Sequence, residues 1–127
     1  MREILFRGKR ISDGEWVEGY LGVEVGGAPV IEYCGTDEDV GDYVEEQFVN
    51  PESIGEFTGL TDKNGVKIFE GDILHAAQGN FVVRWSESIC SFVAGEKERM
   101  RPCMNSGTMN CCEVIGNIFD NPETIRN

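Results

Sequence analysis

Residues Thr58 to Leu74, reading Thr-Gly-Leu-Thr-Asp-Lys-Asn-Gly-Val-Lys-Ile-Phe-Glu-Gly-Asp-Ile-Leu, hold two chain reversals with only a few residues between them. No helix fits in that interval. Asn64-Gly65 lies between Asp62 and the apolar pair Ile68 and Phe69. Asn-Gly tolerates the positive φ that a type I′ hairpin turn demands at both central positions, so a hairpin of that type is predicted here. Glu70-Gly71-Asp72 repeats the punctuation. Gly71 supplies a backbone kink that a Cβ would resist, and Ile73-Leu74 opens the next strand.

The same punctuation runs through the whole chain, which has sixteen glycines in 127 residues. With 40% hydrophobic and 27% charged residues the composition is that of an ordinary globular protein. A chain of this length buries roughly two thirds of its extended surface, enough for a core without metal or disulfide support. The expectation is a mainly β protein of compact multi-stranded sheets with at most short helical turns. It is read as a single domain over 1–127, with an acidic β subregion at 1–57 and an SH3-like β subregion at 58–127.

Along the first subregion, Glu3 to Gly8 reads as a strand, Ser12-Asp13-Gly14 as a turn and Glu15 to Val25 as the returning strand. Trp16 to Val23 lacks a clean period of two, which points to a bulge at Gly19 or to cover on both faces. Pro29 to Tyr33 is a strand and Cys34 to Gly41 a mobile acidic loop. Gly41 to Phe48 fits either a helical turn or a strand, and the chain turns again at Pro51. In the second subregion Asp72 to Ala77 and Phe81 to Ser86 are strands joined by Gln78-Gly79-Asn80, with Ser91 to Ala94 as a third. These make an SH3-like barrel, with Phe81, Val83 and Trp85 on one face and Arg84 marking the face that meets water. Lys97 to Arg101 is an irregular loop and Glu113 to Phe119 a last strand. Asn121-Pro122-Glu123 starts about one helical turn.

Charge is segregated. From Ile11 to Asp62 there are fourteen Asp or Glu and no Lys or Arg, while the rest of the chain has nine acids and eleven bases. The net charge of −12 therefore comes from one continuous block. That block repels phosphate backbones, which disfavours general nucleic-acid binding through the first half. No apolar run approaches the ~20 residues that cross a bilayer, and the N terminus lacks an apolar signal core. Five cysteines without a CxxC pair do not form a disulfide framework. A protein of the reducing cytosol is expected.

The Thr58–Leu74 segment resembles the signature of the phage YopX-like protein family, with its threonine-glycine-leucine, aspartate-lysine-asparagine-glycine and glycine-aspartate-isoleucine steps in that order. The start Arg2-Glu3-Ile4-Leu5-Phe6-Arg7 and the end Val114-Ile115-Gly116-Asn117-Ile118-Phe119-Asp120-Asn121-Pro122-Glu123 resemble the same family, so the likeness runs from end to end. It implies a β-rich protein encoded by temperate phages and bacterial prophages, with no established biochemical activity and no recognised catalytic residues. The chain departs from the commoner pattern between Met100 and Cys112.

Four constellations merit a chemical reading. Asp62, Glu70 and Asp72 suit a carboxylate pair or a cation site, but turn chemistry explains them better. His75, the sole histidine, lacks an identifiable nucleophile or orienting partner. A zinc site of His75, Cys103, Cys111 and Cys112 is disfavoured because adjacent strand residues point to opposite faces, and a redox pair of Cys111 and Cys112 needs unusual backbone geometry. Arg84, Trp85, Lys97, Arg99 and Arg101 suit a stacking and phosphate-binding surface, although core aromatics and a solvated basic loop are the plainer reading. No P-loop, dinucleotide or metalloprotease motif is present, so no catalytic residue, cofactor or metal is assigned.

The sequence thus favours a non-enzymatic phage or prophage accessory module whose acidic surface binds a basic protein partner, with a DNA mimic as its sharper form. The alternative is a nucleic-acid-binding module using the loop around Arg99 and Arg101. Open sheet edges also lead us to expect a homo-oligomer.

Overall fold

The fold is taken from a computed structural model, which describes residues 3–77, 79–88, 90–95 and 111–124. Among these the chain is mainly β, and its helical content is two 3-10 turns, Pro51–Ser53 and Pro122–Thr124. The strands are β1 (Phe6–Lys9), β2 (Trp16–Val23), β3 (Pro29–Asp37), β4 (Gly41–Phe48), β5 (Gly55–Thr61), β6 (Lys67–Phe69), β7 (Asp72–Ala76), β8 (Gly79–Ser86), β9 (Ser91–Ala94) and β10 (Glu113–Asn117). Every strand pairing is antiparallel. The chain divides into two compact units, Met1–Glu56 and Phe57–Asn127.

In the first unit β4, β3, β2 and β1 lie side by side, and Gly55 and Glu56 of β5 pair with β1. The β1–β2 turn is held by Arg10, whose guanidinium donates to both carboxylate oxygens of Asp13 at 3.0 and 2.7 Å. The broken period of β2 has a simple origin. Its residues Trp16 to Gly19 pair with β1, whereas Tyr20 to Val23 pair with β3, and neither pairing has a register shift. No bulge is needed at Gly19. A Cβ there would instead run into the backbone carbonyl of Glu32, so the glycine permits a close backbone approach.

In this unit one open alternative is decided and one expectation changes. Gly41 to Phe48 is a strand, and Cys34 to Asp37 belong to β3, so the acidic loop shrinks to three residues, Glu38 to Val40. Asp37 makes this possible by accepting the backbone amides of Asp39 at 2.7 Å and Val40 at 3.2 Å, a local turn that carboxylate side chains readily supply. After β4, Val49 bridges to Arg10, and Asn50 caps the first 3-10 turn by accepting from the amide of Glu52 at 3.0 Å. Val30, Ile31 and Val49 are buried.

In the second unit Phe57 to Thr61 pair with β6, and a four-stranded sheet runs in the order β10-β7-β8-β9. Its core is Ile68, Leu74, Val83, Ala94 and Cys112, packed by Leu60, Ala76, Phe81 and Val114. This sheet is open, with β9 and β10 as its edges, so the expected SH3-like closure is not formed among the described residues. β9 has four residues, and β10 has five with a register shift between Val114 and Gly116. Closing a barrel requires strands long enough to tilt and stagger onto one another.

Three local readings are corrected in this unit. The loop after Asp62 is a hairpin but not type I′: Gly65 has φ 81°, while Asn64 stays out of the left-handed region. The amide of Asp62 donates to the carbonyl of Val66 at 2.9 Å, closing a three-residue loop. Gly79 and Asn80 are strand residues opposite Ala76 and His75, which shortens the connection into β8. The faces of β8 are also not as read. Val82 and Val83 are both buried, and Trp85, not Arg84, is the exposed residue at 44%. Arg84 is drawn inward because its guanidinium donates to the carbonyl of Gly95 at 2.6 Å.

Two substitutions test this packing. Leu74→Ala, at a fully buried site, is expected to cost about 2–5 kcal/mol by loss of transfer free energy and a residual cavity. Gly19→Ala is expected to cost at least ~1–3 kcal/mol, because the methyl collides with the backbone carbonyl of Glu32. Urea unfolding checks both through the midpoint, with the slope unchanged.

Candidate functional site

Of the carboxylates singled out by the sequence, Asp62 is 5% exposed and entirely engaged by backbone. Its Oδ1 accepts from the amides of Asn64 at 2.8 Å and Val66 at 3.0 Å, and its Oδ2 accepts from Val114 at 2.9 Å. Burial works against ionisation, but the three amides and the neighbouring Lys63 outweigh it and hold this carboxyl below the usual 3.8. Asp72 is buried as well, and its Oδ2 accepts from the amide of Phe69 at 2.7 Å. These two residues fasten the turns that flank β6, and Glu70 sits half-buried in the second of them.

The other sequence candidates are placed apart from any shared site. His75 is exposed, with Nδ1 2.8 Å from the Asn80 side-chain oxygen. Cys111 is exposed and Cys112 lies in the core, as adjacent residues entering a strand require. Among the described residues no group of three or more His, Cys, Asp or Glu side chains is arranged to hold a metal ion. Trp85 packs edge-on against Phe92 at 5.1 Å between centroids. Cys103, Lys97, Arg99 and Arg101 lie outside the described residues. Among the described residues no helix is long and apolar enough to cross a membrane.

The acidic block forms a more distinctive surface. Thirteen of its fourteen acids fall in the first unit, Asp62 being the exception. The β3–β4 hairpin sets Glu32 directly opposite Glu46 and Thr36 opposite Asp42 on one face, with Tyr33 opposite Glu45 on the other. The Tyr33 hydroxyl donates to Glu45 at 2.5 Å, which raises the phenol pKa, and the Thr36 hydroxyl donates to Asp42 at 3.0 Å. Glu46 lies against the carboxyls of Glu24 and Glu32. Contact with Glu24, and secondarily with Glu32, pushes Glu46 up to about 7. Sequence reading missed this cluster, although Glu32 and Glu46 are equidistant from Asp39. A symmetric hairpin centred there would have paired them.

An open depression of about 470 Å³ lies near the hairpin tip, lined by Cys34, Gly35, Thr36, Asp42, Tyr43 and Val44. β4 is the last strand of its sheet, and all but one of its side chains are exposed. What such a surface does chemically is attract cations. Its carboxylates are solvated and crowded, so a positive group placed among them relieves repulsion that the free protein carries.

The two carboxyls give opposite pH signatures. For Asp62 the folded value is lowered, so its stabilisation is present above 3.8 and is lost as the pH falls through the folded value. Asp62→Asn retains one acceptor oxygen and turns an NH2 toward an amide donor. It is expected to cost about 1–3 kcal/mol at neutral pH and to flatten the acid limb of stability. For Glu46 the folded value is raised, so stability from this group is greatest below 4.5 and declines as the pH rises to about 7. Glu46→Gln is expected to raise the melting midpoint at pH ~8 and leave it unchanged at pH ~4, measured by thermal unfolding across pH.

Comparison with known proteins places this architecture. The crystal structure of protein EF1440 from Enterococcus faecalis superposes with a TM-score of 0.61 at 22% sequence identity, covering 97% of this chain and 98% of that one. That likeness concerns the fold. No curated protein matches the chain. The model of the YopX protein family matches residues 6–126, nearly the whole chain, and so this protein belongs to the YopX protein family.

Proposed function

We propose that this protein is a phage or prophage accessory module of the bacterial cytosol, non-enzymatic, whose acidic first unit binds a basic protein partner. The observation that carries the reading is the crowding of Glu24, just after β2, and Glu32 of β3 against Glu46 of β4, close enough to push Glu46 up to about 7, with no Lys or Arg between Ile11 and Asp62 to neutralise them. A fold does not maintain such repulsion for stability, since like charges set opposite each other on a sheet are destabilising. A cationic partner converts the same repulsion into binding free energy and fast, salt-dependent association.

The test is affinity capture from bacterial lysate with the native chain and with a variant carrying Asp37→Asn, Asp39→Asn, Asp42→Asn, Glu45→Gln and Glu46→Gln. The expected result is a defined set of basic proteins retained by the native chain, released by about 0.5 M salt as screening shortens the range of surface charge, and missing from the variant. Capture that survives both salt and neutralisation overturns the proposal. Duplex DNA added as competitor separates the two forms of the reading, since it displaces the partner only if the surface mimics DNA.

A further inference from the structure

We infer that the free edge of β4, residues 41–47, is a strand-addition site for a basic extended segment of a partner protein. This deepens the reading of the first unit as an acidic protein-binding module and rests on it.

Three features lead there. First, β4 pairs along its whole length with β3 and has no strand on its other side among the described residues. Only at its end does the chain turn onto another segment, where the amide of Ile11 donates to the carbonyl of Phe48 at 3.0 Å. Before that point the edge presents a row of backbone groups of the kind that pairs with an incoming strand. Second, the edge is eight residues long, contains no proline, lysine or arginine, and is guarded only by the acids Asp42, Glu45 and Glu46, which turn away other acidic strands but not a basic one. Third, its side chains form a readable pattern. Asp42, Val44 and Glu46 share one face, and Tyr43 and Glu45 the other, with Val44 67% exposed.

Charge selects the occupant. A second copy paired antiparallel about Val44 would set Asp42 against Glu46 and gather three carboxylates from each strand onto one ribbon. A basic strand has the opposite balance. The best-matched segment carries cations at two alternate positions with an apolar residue between them, facing Asp42, Glu46 and Val44 respectively. Every strand pairing in the protein is antiparallel, and because this pattern is palindromic a strand added antiparallel to β4 and centred on Val44 meets all three at once. The Glu24 and Glu32 carboxyls beside Glu46 add to the attraction at one end.

The experiment uses the full chain and a labelled, capped peptide with the core Lys-Thr-Val-Thr-Lys, flanked by threonine and glycine, followed by fluorescence anisotropy at low salt. A control of the same composition moves the valine to the neighbouring position. Two further peptides are N-methylated on alternate amides, one set for each edge of the strand. The expected result is about tenfold tighter binding of the patterned peptide than of the control, from cross-strand contacts in register. One methylated peptide should lose binding while the other keeps it, because only one edge of an added strand pairs with the sheet. Amide hydrogen exchange should show new protection over residues 41–47. Equal, salt-sensitive binding of all the peptides overturns strand addition and leaves the acidic-module reading standing. Absence of binding by every peptide overturns both. A dimer in sedimentation that masks the 41–47 amides without peptide overturns the inference in favour of a second copy.

Discussion

The second unit depends on the Asp62 carboxylate. It reaches two amides of its own loop and one amide, that of Val114, from a segment fifty-two residues further along the chain. A hairpin loop and the start of β10 are thereby fixed to the same two oxygen atoms. Hydrogen bonds to a charged acceptor are the strong ones, and here the acceptor itself is buried. Asp72 repeats the device on a smaller scale at the next turn through the amide of Phe69. Between these two fastened turns, Ile68 is delivered fully buried into the cluster with Leu74 and Val83. Both carboxylates are explained by what they hold together.

The first unit uses carboxylates in the opposite way. There Glu24, just after β2, and Glu32, set opposite by the β3–β4 register, both crowd Glu46, and the shared burden falls on that residue. Desolvation is minor at these exposed positions, so the cause is mutual repulsion and contact between like groups. One chain thus contains an aspartate whose pKa is lowered by amide donors and a glutamate whose pKa is raised by other acids. The former belongs to the folding machinery. The latter is a property of the exposed surface.

Much of the architecture was legible in the residues. Glycine-rich punctuation and alternating apolar positions gave the β class, the hairpin at Asn64-Gly65, the step at Gly71 and the strand after it. Local errors share a cause. The turn type at Asn64 was misread because Asp62 supplies acceptors that favour a three-residue loop, and Asn-Gly alone does not disclose them. Arg84 was assigned to water because its hydrogen bond to Gly95 depends on β9 lying alongside β8. The period of β2 was unreadable because the strand changes neighbour halfway, from β1 to β3.

By itself the sequence determined most of the extended segments, most of the places where the chain reverses, and the confinement of acid to the first half, since these follow from local sterics and from counting charge. Only the tertiary structure decided which strands became neighbours, that among the described residues β4 ended as an edge and the four-stranded sheet stayed open, and which carboxylates were buried among amides or crowded against each other. Those outcomes turn on register between distant segments. A shift of one residue reverses which face every side chain occupies, and outside the hairpins, where the turn sets it, nothing local fixes the register.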